Sequence, residues 1–187
     1  DCRMVSRISP VAATPYFLSL IQPSDPNDPI RRQCFPDIRE LTYSTGGVAD
    51  PLEEDRHMEV PGLIHRYPDR CLVIMTNICA TYCRHCNRKR IWKTKSCIKD
   101  KAYTRRIIDC IASRKAIREV ILSGGDPLTL SDRLINNFLS DLRKISHVEV
   151  IRIGSRTPVV LPMRITPELC MMLRRHRPLW FNTHFNH

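Results

Sequence analysis

Cys71-Leu72-Val73-Ile74-Met75-Thr76-Asn77 is a short, continuous apolar run, and just beyond it comes Cys79-Ala80-Thr81-Tyr82-Cys83-Arg84-His85-Cys86. Such a run without polar alternation marks a strand covered on both faces, as in a parallel sheet. Toward the C-terminus the pattern repeats. A helix is expected over Tyr103 to Ser113, with Ile107, Ile108 and Ile111 on one face, then a strand from Glu119 to Ser123 and a Gly124-Gly125-Asp126-Pro127 turn. A second helix, about Asp132 to Ile145, carries Leu134, Ile135, Phe138, Leu139 and Leu142 at helical spacing and leads to the strand Val148 to Ile153. The third starts at Thr166 as N-cap with Pro167 in the first helical position, runs to about His176, and precedes the strand Leu179 to Asn182. About four strands alternating with helices predict an α/β fold with a parallel sheet and right-handed crossovers. Four strands cannot close a barrel, so either an open sheet or part of a barrel is expected.

Residues 1–60 read differently. Ser9-Pro10, Thr14-Pro15, Gln22-Pro23, Asp25-Pro26, Asp28-Pro29 and Asp50-Pro51 disfavour long regular elements, leaving short helices near Tyr16 to Ile21 and Asp37 to Leu41. This is an irregular, partly helical N-terminal extension that wraps a core domain over residues 61–187, and Tyr16 to Ile21 is apolar enough to dock. Val60 to Arg70 reads as a turn-rich basic loop. The chain starts at Asp1 and stops soon after a strand-like run, so a piece of a longer reading frame is expected.

The net charge of +11 raises the question of nucleic acid, but aromatic residues make up only 6% and the arginines are dispersed. No nucleic-acid partner is expected. Arginine serves anionic small ligands equally well, as a bidentate partner for carboxylate and phosphate. The sequence has no apolar run long enough for a membrane span and no export signal at its start, so no membrane association is expected. Nine cysteines, an odd number, fit a reducing cytoplasm better than a disulfide framework.

Cys79, Cys83 and Cys86 stand at C-x3-C-x2-C spacing directly after a strand, where α/β folds place chemistry. Three thiolates without an obvious fourth suit a [4Fe-4S] cluster with one open iron. A zinc site would need Cys71, Cys97 or His85 to complete it, and would make the chain a zinc-stabilised nucleic-acid-binding module. The other strands also end in polar or glycine-rich residues: Ser123-Gly124-Gly125-Asp126, Gly154-Ser155-Arg156 and Thr183-His184. Glycines admit a ligand to backbone N–H groups, and a carboxylate such as Asp126 can accept from an amine or hydroxyl. Arg66 and Arg70, four apart, would clamp a phosphate if their loop makes a helical turn. Cys2, Cys34, Cys97, Cys110 and Cys170 show no pairing pattern, and Cys110 and Cys170 read as small core residues.

With these residues in view the sequence resembles the lysine 2,3-aminomutase family of radical S-adenosylmethionine (SAM) enzymes. The matching stretches include Asp50 to Asp55, His65-Arg66-Tyr67-Pro68-Asp69-Arg70, Tyr82 to Cys86 with Arg88, Leu122 to Asp126, Ile151 to Pro162, Arg164 to Leu169 and Asn182 to His187. The resemblance implies an incomplete radical SAM (βα)6-type barrel and an isomerase that moves the α-amino group of an amino acid to its β-carbon. It further implies a [4Fe-4S] cluster, SAM and pyridoxal 5'-phosphate (PLP), an electron donor such as flavodoxin or ferredoxin, and a homo-oligomer. By the same resemblance Cys79, Cys83 and Cys86 ligate the cluster, and Arg66, Tyr67 and Arg70 hold PLP. His85, Gly124, Gly125, Asp126 and His184 contact SAM, and Arg88 pairs with the substrate carboxylate. The PLP lysine and the groups that read a lysine side chain are expected beyond residue 187, leaving this chain inactive alone. Asn87 and Ile91-Trp92-Lys93 depart from the lysine enzymes, so glutamate or another amino acid stays open as substrate, and RNA modification stays open as another radical SAM activity.

Overall fold

The computed structural model describes residues 4–6, 10–42, 47–93 and 100–187. The apolar run forms strand β3 (Arg70–Thr76), with Val73, Ile74 and Met75 buried. Strands β4 (Glu119–Gly124), β5 (Val150–Gly154) and β6 (Leu179–Asn182) follow in parallel, pairing Val73 with Leu122, Leu122 with Ile153, and Ile153 with Phe181.

Helices α1 (Lys101–Ser113), α2 (Asp132–Arg143) and α3 (Pro167–Arg174) make the crossovers. The carboxylate of Asp100 starts α1 by accepting from the Ala102 and Tyr103 N–H groups, which would otherwise be unpaired. Its buried face is Tyr103, Ile107, Cys110 and Ile111, and that of α2 is Ile135, Phe138, Leu139 and Leu142. Thr166 caps α3, accepting from the Leu169 N–H at 3.2 Å. These faces and the inner residues of β3 to β5 share one core, each large apolar side chain contributing roughly 1.5–3 kcal/mol by leaving water.

The expected basic loop before β3 is instead a hairpin. β1 (Met58–Val60) and β2 (Leu63–Tyr67) pair antiparallel, and β2 pairs antiparallel with β3. The sheet therefore has six strands in the order β1-β2-β3-β4-β5-β6, the last four parallel. Pro61-Gly62 supplies the turn, Gly62 taking the left-handed φ of +87° that a side chain would resist. The charges that suggested a loop sit at the solvent-facing end of β2, where strands near a sheet edge tolerate them. A boundary after residue 60 would cut this hairpin, since Val60 pairs with Leu63.

The extension holds short helices at Pro15–Ser19, Pro29–Cys34 and Arg39–Thr42. The middle one was not expected, because Asp28-Pro29 reads as a break; here Asp28 is an N-cap and Pro29 opens the helix. Phe17 and Cys34 pack on Val160, and the Tyr82 N–H donates to Ala12 O at 3.0 Å. Arg84 joins the Glu40 carboxylate through Nε (2.9 Å) and Nη2 (2.5 Å), and its backbone N–H reaches Gln33 O at 2.9 Å. Cys110 is buried as expected, but Cys170 is exposed on α3. It follows Leu169, the one buried residue of that helix, and so faces outward. Cys2 and Cys97 lie outside the described residues. Among those described, no helix is long and apolar enough to cross a membrane.

Candidate active site

Parallel strands send their C-terminal ends to one edge, where the loops after β3, β4, β5 and β6 meet. They line a cavity of about 320 Å³ that includes Cys79, Cys83 and Cys86, with glycines 124, 125 and 154 and with His184 at its border. Two short backbone bonds join the first pair of loops, Gly125 N–H to Thr76 O (2.6 Å) and Asp126 N–H to Ile78 O (2.8 Å). A Cβ on Gly125 would stand 2.3 Å from Ile78 O, so only glycine allows this approach.

Asp126 is buried. Its Oδ1 accepts from the Ser155 hydroxyl (2.6 Å) and the Leu128 N–H (3.0 Å), its Oδ2 from the N–H groups of Arg156 (2.9 Å) and Thr157 (3.0 Å). Each oxygen thus has two donors from within the protein. Asp126 lines the cysteine cavity, and its carboxylate ties the loop after β4 to the loop after β5.

The three cysteine side chains differ in surroundings. Burial pushes the Cys79 thiol up, with the Asp126 charge adding to it, and burial also raises Cys86, although the Arg88 N–H approaches that sulfur at 3.3 Å. Arg156 Nη1 donates to Cys83 Sγ at 2.8 Å, while its Nη2 engages Gln33 and its guanidinium lies 5.2 Å from the Phe17 ring centre. The Cys79 and Cys86 thiols, pushed up by burial, need positive charge to ionise, which iron would provide on binding. Among the described residues no three His, Cys, Asp or Glu side chains converge as ligands of a single ion. Cys71, offered as a fourth zinc ligand, is sealed in the core. Three thiols lining one cavity suit a cluster, in which each binds a separate iron.

His85 and His184 are exposed at the cavity mouth, their rings edge to face at 6.2 Å, and His184 Nδ1 lies 2.7 Å from Asn186 Oδ1. A second cavity, about 220 Å³, is bordered by Arg66, Tyr67, Arg70, Arg88 and Glu54. The structure thus brings together the hairpin residues and Arg88, but not by a helical turn: Tyr67 and Arg70 face each other across the hairpin. Both guanidiniums lie near the Tyr67 ring, at 5.9 Å for Arg66 and 5.8 Å for Arg70. Arg70 is paired with Asp69 at 3.0 Å; Arg66 donates to a neutral carbonyl, Leu52 O at 3.2 Å, and among the described residues it has no carboxylate partner, so its charge can meet a phosphate. Arg88 lines both cavities.

Glu54 and Arg156 were given no role from the sequence, although both contact the cavity side chains. The acidic stretch Glu53-Glu54-Asp55 in so basic a chain was the available signal for Glu54. For Arg156 there was none beyond its place after a strand.

Taken together, a mostly parallel α/β sheet of partial-barrel form and three cysteines among its strand-end loops define a cofactor enzyme of the cluster-binding kind. The Radical SAM superfamily model matches residues 73–187, and the chain belongs to that superfamily, which implies a [4Fe-4S] cluster and SAM. It is 51% identical over 177 residues to the L-lysine 2,3-aminomutase of Clostridium subterminale, covering 95% of this chain and 42% of that protein. The L-lysine 2,3-aminomutase of Bacillus subtilis is 43% identical over 184 residues, 98% of this chain and 39% of the relative. The glutamate 2,3-aminomutase of Clostridioides difficile is 43% identical over 176 residues, 94% and 42%. The chain therefore spans about two fifths of the length of these relatives.

Proposed function

We propose that this chain forms the cluster, SAM and PLP phosphate sites of an amino-acid 2,3-aminomutase acting on L-lysine. The observation that carries this is the position of Arg88, whose guanidinium borders both the cysteine cavity and the arginine-tyrosine cavity, so a carboxylate held there stands between two cofactor sites. The bound cofactors would supply a hydrogen-abstracting radical and a carrier for the migrating amino group.

The chain's own residues bind and orient. Cys79, Cys83 and Cys86 hold the cluster. The backbone at Gly124 and Gly125, with His85 and His184 at the mouth, borders SAM, while Asp126 acts by fixing the loops. Arg66 and Arg70 hold the PLP phosphate with Tyr67 beside it, and Arg88 takes the substrate α-carboxylate. The extension covers the back of the cysteine loop and limits water there. An electron donor such as flavodoxin or ferredoxin, a homo-oligomeric assembly and a cytoplasmic location complete this reading. Glutamate is the second substrate reading, supported by the similarity to the Clostridioides difficile enzyme.

Anaerobic reconstitution with iron and sulfide tests the site first: about four irons per chain are expected, and their loss in Cys83→Ala. The protein at the length of its relatives, supplied with SAM, PLP and a reductant, should then convert L-lysine to β-lysine. β-Glutamate from L-glutamate would favour the second reading. A colourless chain holding zinc would overturn both.

A further inference from the structure

We propose that Glu54 is a positioning residue for Arg88, fixing its guanidinium so that one N–H on each terminal nitrogen faces a ligand carboxylate; this rests on the reading of Arg88 given above. Glu54 is only 4% exposed. Its Oε1 accepts from Arg88 Nη2 (2.6 Å) and Nε (2.8 Å), and its Oε2 from the same Nε (3.0 Å). Arg88 Nη1 donates to Ser123 Oγ at 3.2 Å.

A guanidinium carries five N–H bonds. Glu54 takes the one on Nε and one on Nη2, and Ser123 takes one on Nη1. What remains is one N–H on each terminal nitrogen, the pair that a second carboxylate needs for a two-pronged bond. The Arg88 side chain keeps 20% of its surface exposed, so that edge is not sealed. Glu54 occupies the side edge of the guanidinium and therefore does not compete for the end.

Glu54 itself is rigidly placed. Glu53 adopts φ 51°, the Glu53 N–H donates to Asp50 O (3.1 Å), and the Asp55 N–H donates to Asp50 Oδ2 (2.8 Å). Arg90 shares Glu54 Oε2 at 3.2 Å but also pairs with Asp50 (3.2 Å) and Asp55 (3.1 Å), so it does not depend on Glu54 alone. A long, mobile arginine is thereby held before any ligand arrives, and the ordering cost of ligand binding is reduced.

The test compares L-lysine with L-lysinamide, which has the same amines but a neutral carboxamide, by calorimetric titration of the PLP-loaded protein at the length of its relatives. Wild type should prefer lysine by about 30-fold or more, the size expected of a two-pronged charged contact. In Glu54→Gln the preference should fall to about 3-fold, whereas Arg90→Gln should keep it even if its melting temperature drops. If Glu54→Gln does not fold, Glu54→Asp replaces it and should show a reduced preference of about 10-fold. A preference unchanged in the Glu54 variants would make Glu54 merely structural, and one that rises would make it a competitor; either overturns the proposal. No preference in wild type would remove the reading of Arg88 and this proposal with it.

Discussion

Both oxygens of Asp126 accept from buried groups, including three backbone N–H groups from Leu128, Arg156 and Thr157. Removing the carboxylate would leave the Leu128 and Arg156 donors buried and unpaired, at roughly 1–3 kcal/mol each, while the Thr157 N–H keeps Ser155 Oγ at 3.1 Å. Asp126→Ala is therefore expected to lose about 3 kcal/mol or more of stability, seen as an earlier urea midpoint, with Asp126→Asn losing less because it keeps one acceptor. If SAM affinity alone changed and stability did not, the carboxylate would be a ligand contact rather than a tie between loops. The residue identity was legible in the Gly-Gly-Asp turn, but which partner its oxygens take depends on how closely β4 and β5 lie, and spacing does not encode that.

At the level of elements, the alternation of apolar runs and amphipathic stretches gave β3 to β6 and α1 to α3 nearly in place, because each buries a face and leaves that periodicity in the sequence. The hairpin was missed since β2 has only Leu63 and Ile64 buried, too few to show a pattern beside three charged or polar neighbours. The fit of the extension to the cysteine loop was also hidden, as it relies on single contacts such as Arg84 with Glu40. Burial disfavours ionised Glu40, yet the Arg84 guanidinium and the Asp37 N–H outweigh it and hold its carboxyl low. A lowered folded value means that this contact is fully present above the ordinary 4.5 and is lost as pH falls below it. Protection of the Tyr82 and Arg84 amides from hydrogen exchange should accordingly decline below that pH. The Asp28 and Asp37 carboxyls are held low as well, by backbone N–H groups and by Arg39, so the part absent in Glu40→Gln is the part due to Glu40.

For the whole molecule, the described sheet is open at β6, where Trp180 is 61% and Phe181 39% exposed on a parallel strand with free hydrogen-bonding groups. Such an edge recruits partners. The chain by itself is expected to associate with rising concentration in sedimentation measurements, and Trp180→Lys to shift it toward monomer. An unchanged monomer in wild type would show that the edge is protected by other means.

Strand order in this sheet is chain order, so each strand can pair with the one made just before it as synthesis proceeds. The extension obeys the opposite rule: Thr14 bonds to Val160 O and Phe17 packs on the same residue, 146 positions away from Thr14. Thr14 and Phe17 are thus made well before Val160, on which they are seated, and the cysteine loop beneath them stays open to incoming iron until the strand β5 and the turn after it have been made. Pulsed hydrogen exchange should find amides of β3 and β4 protected before those of Tyr82 and Arg84.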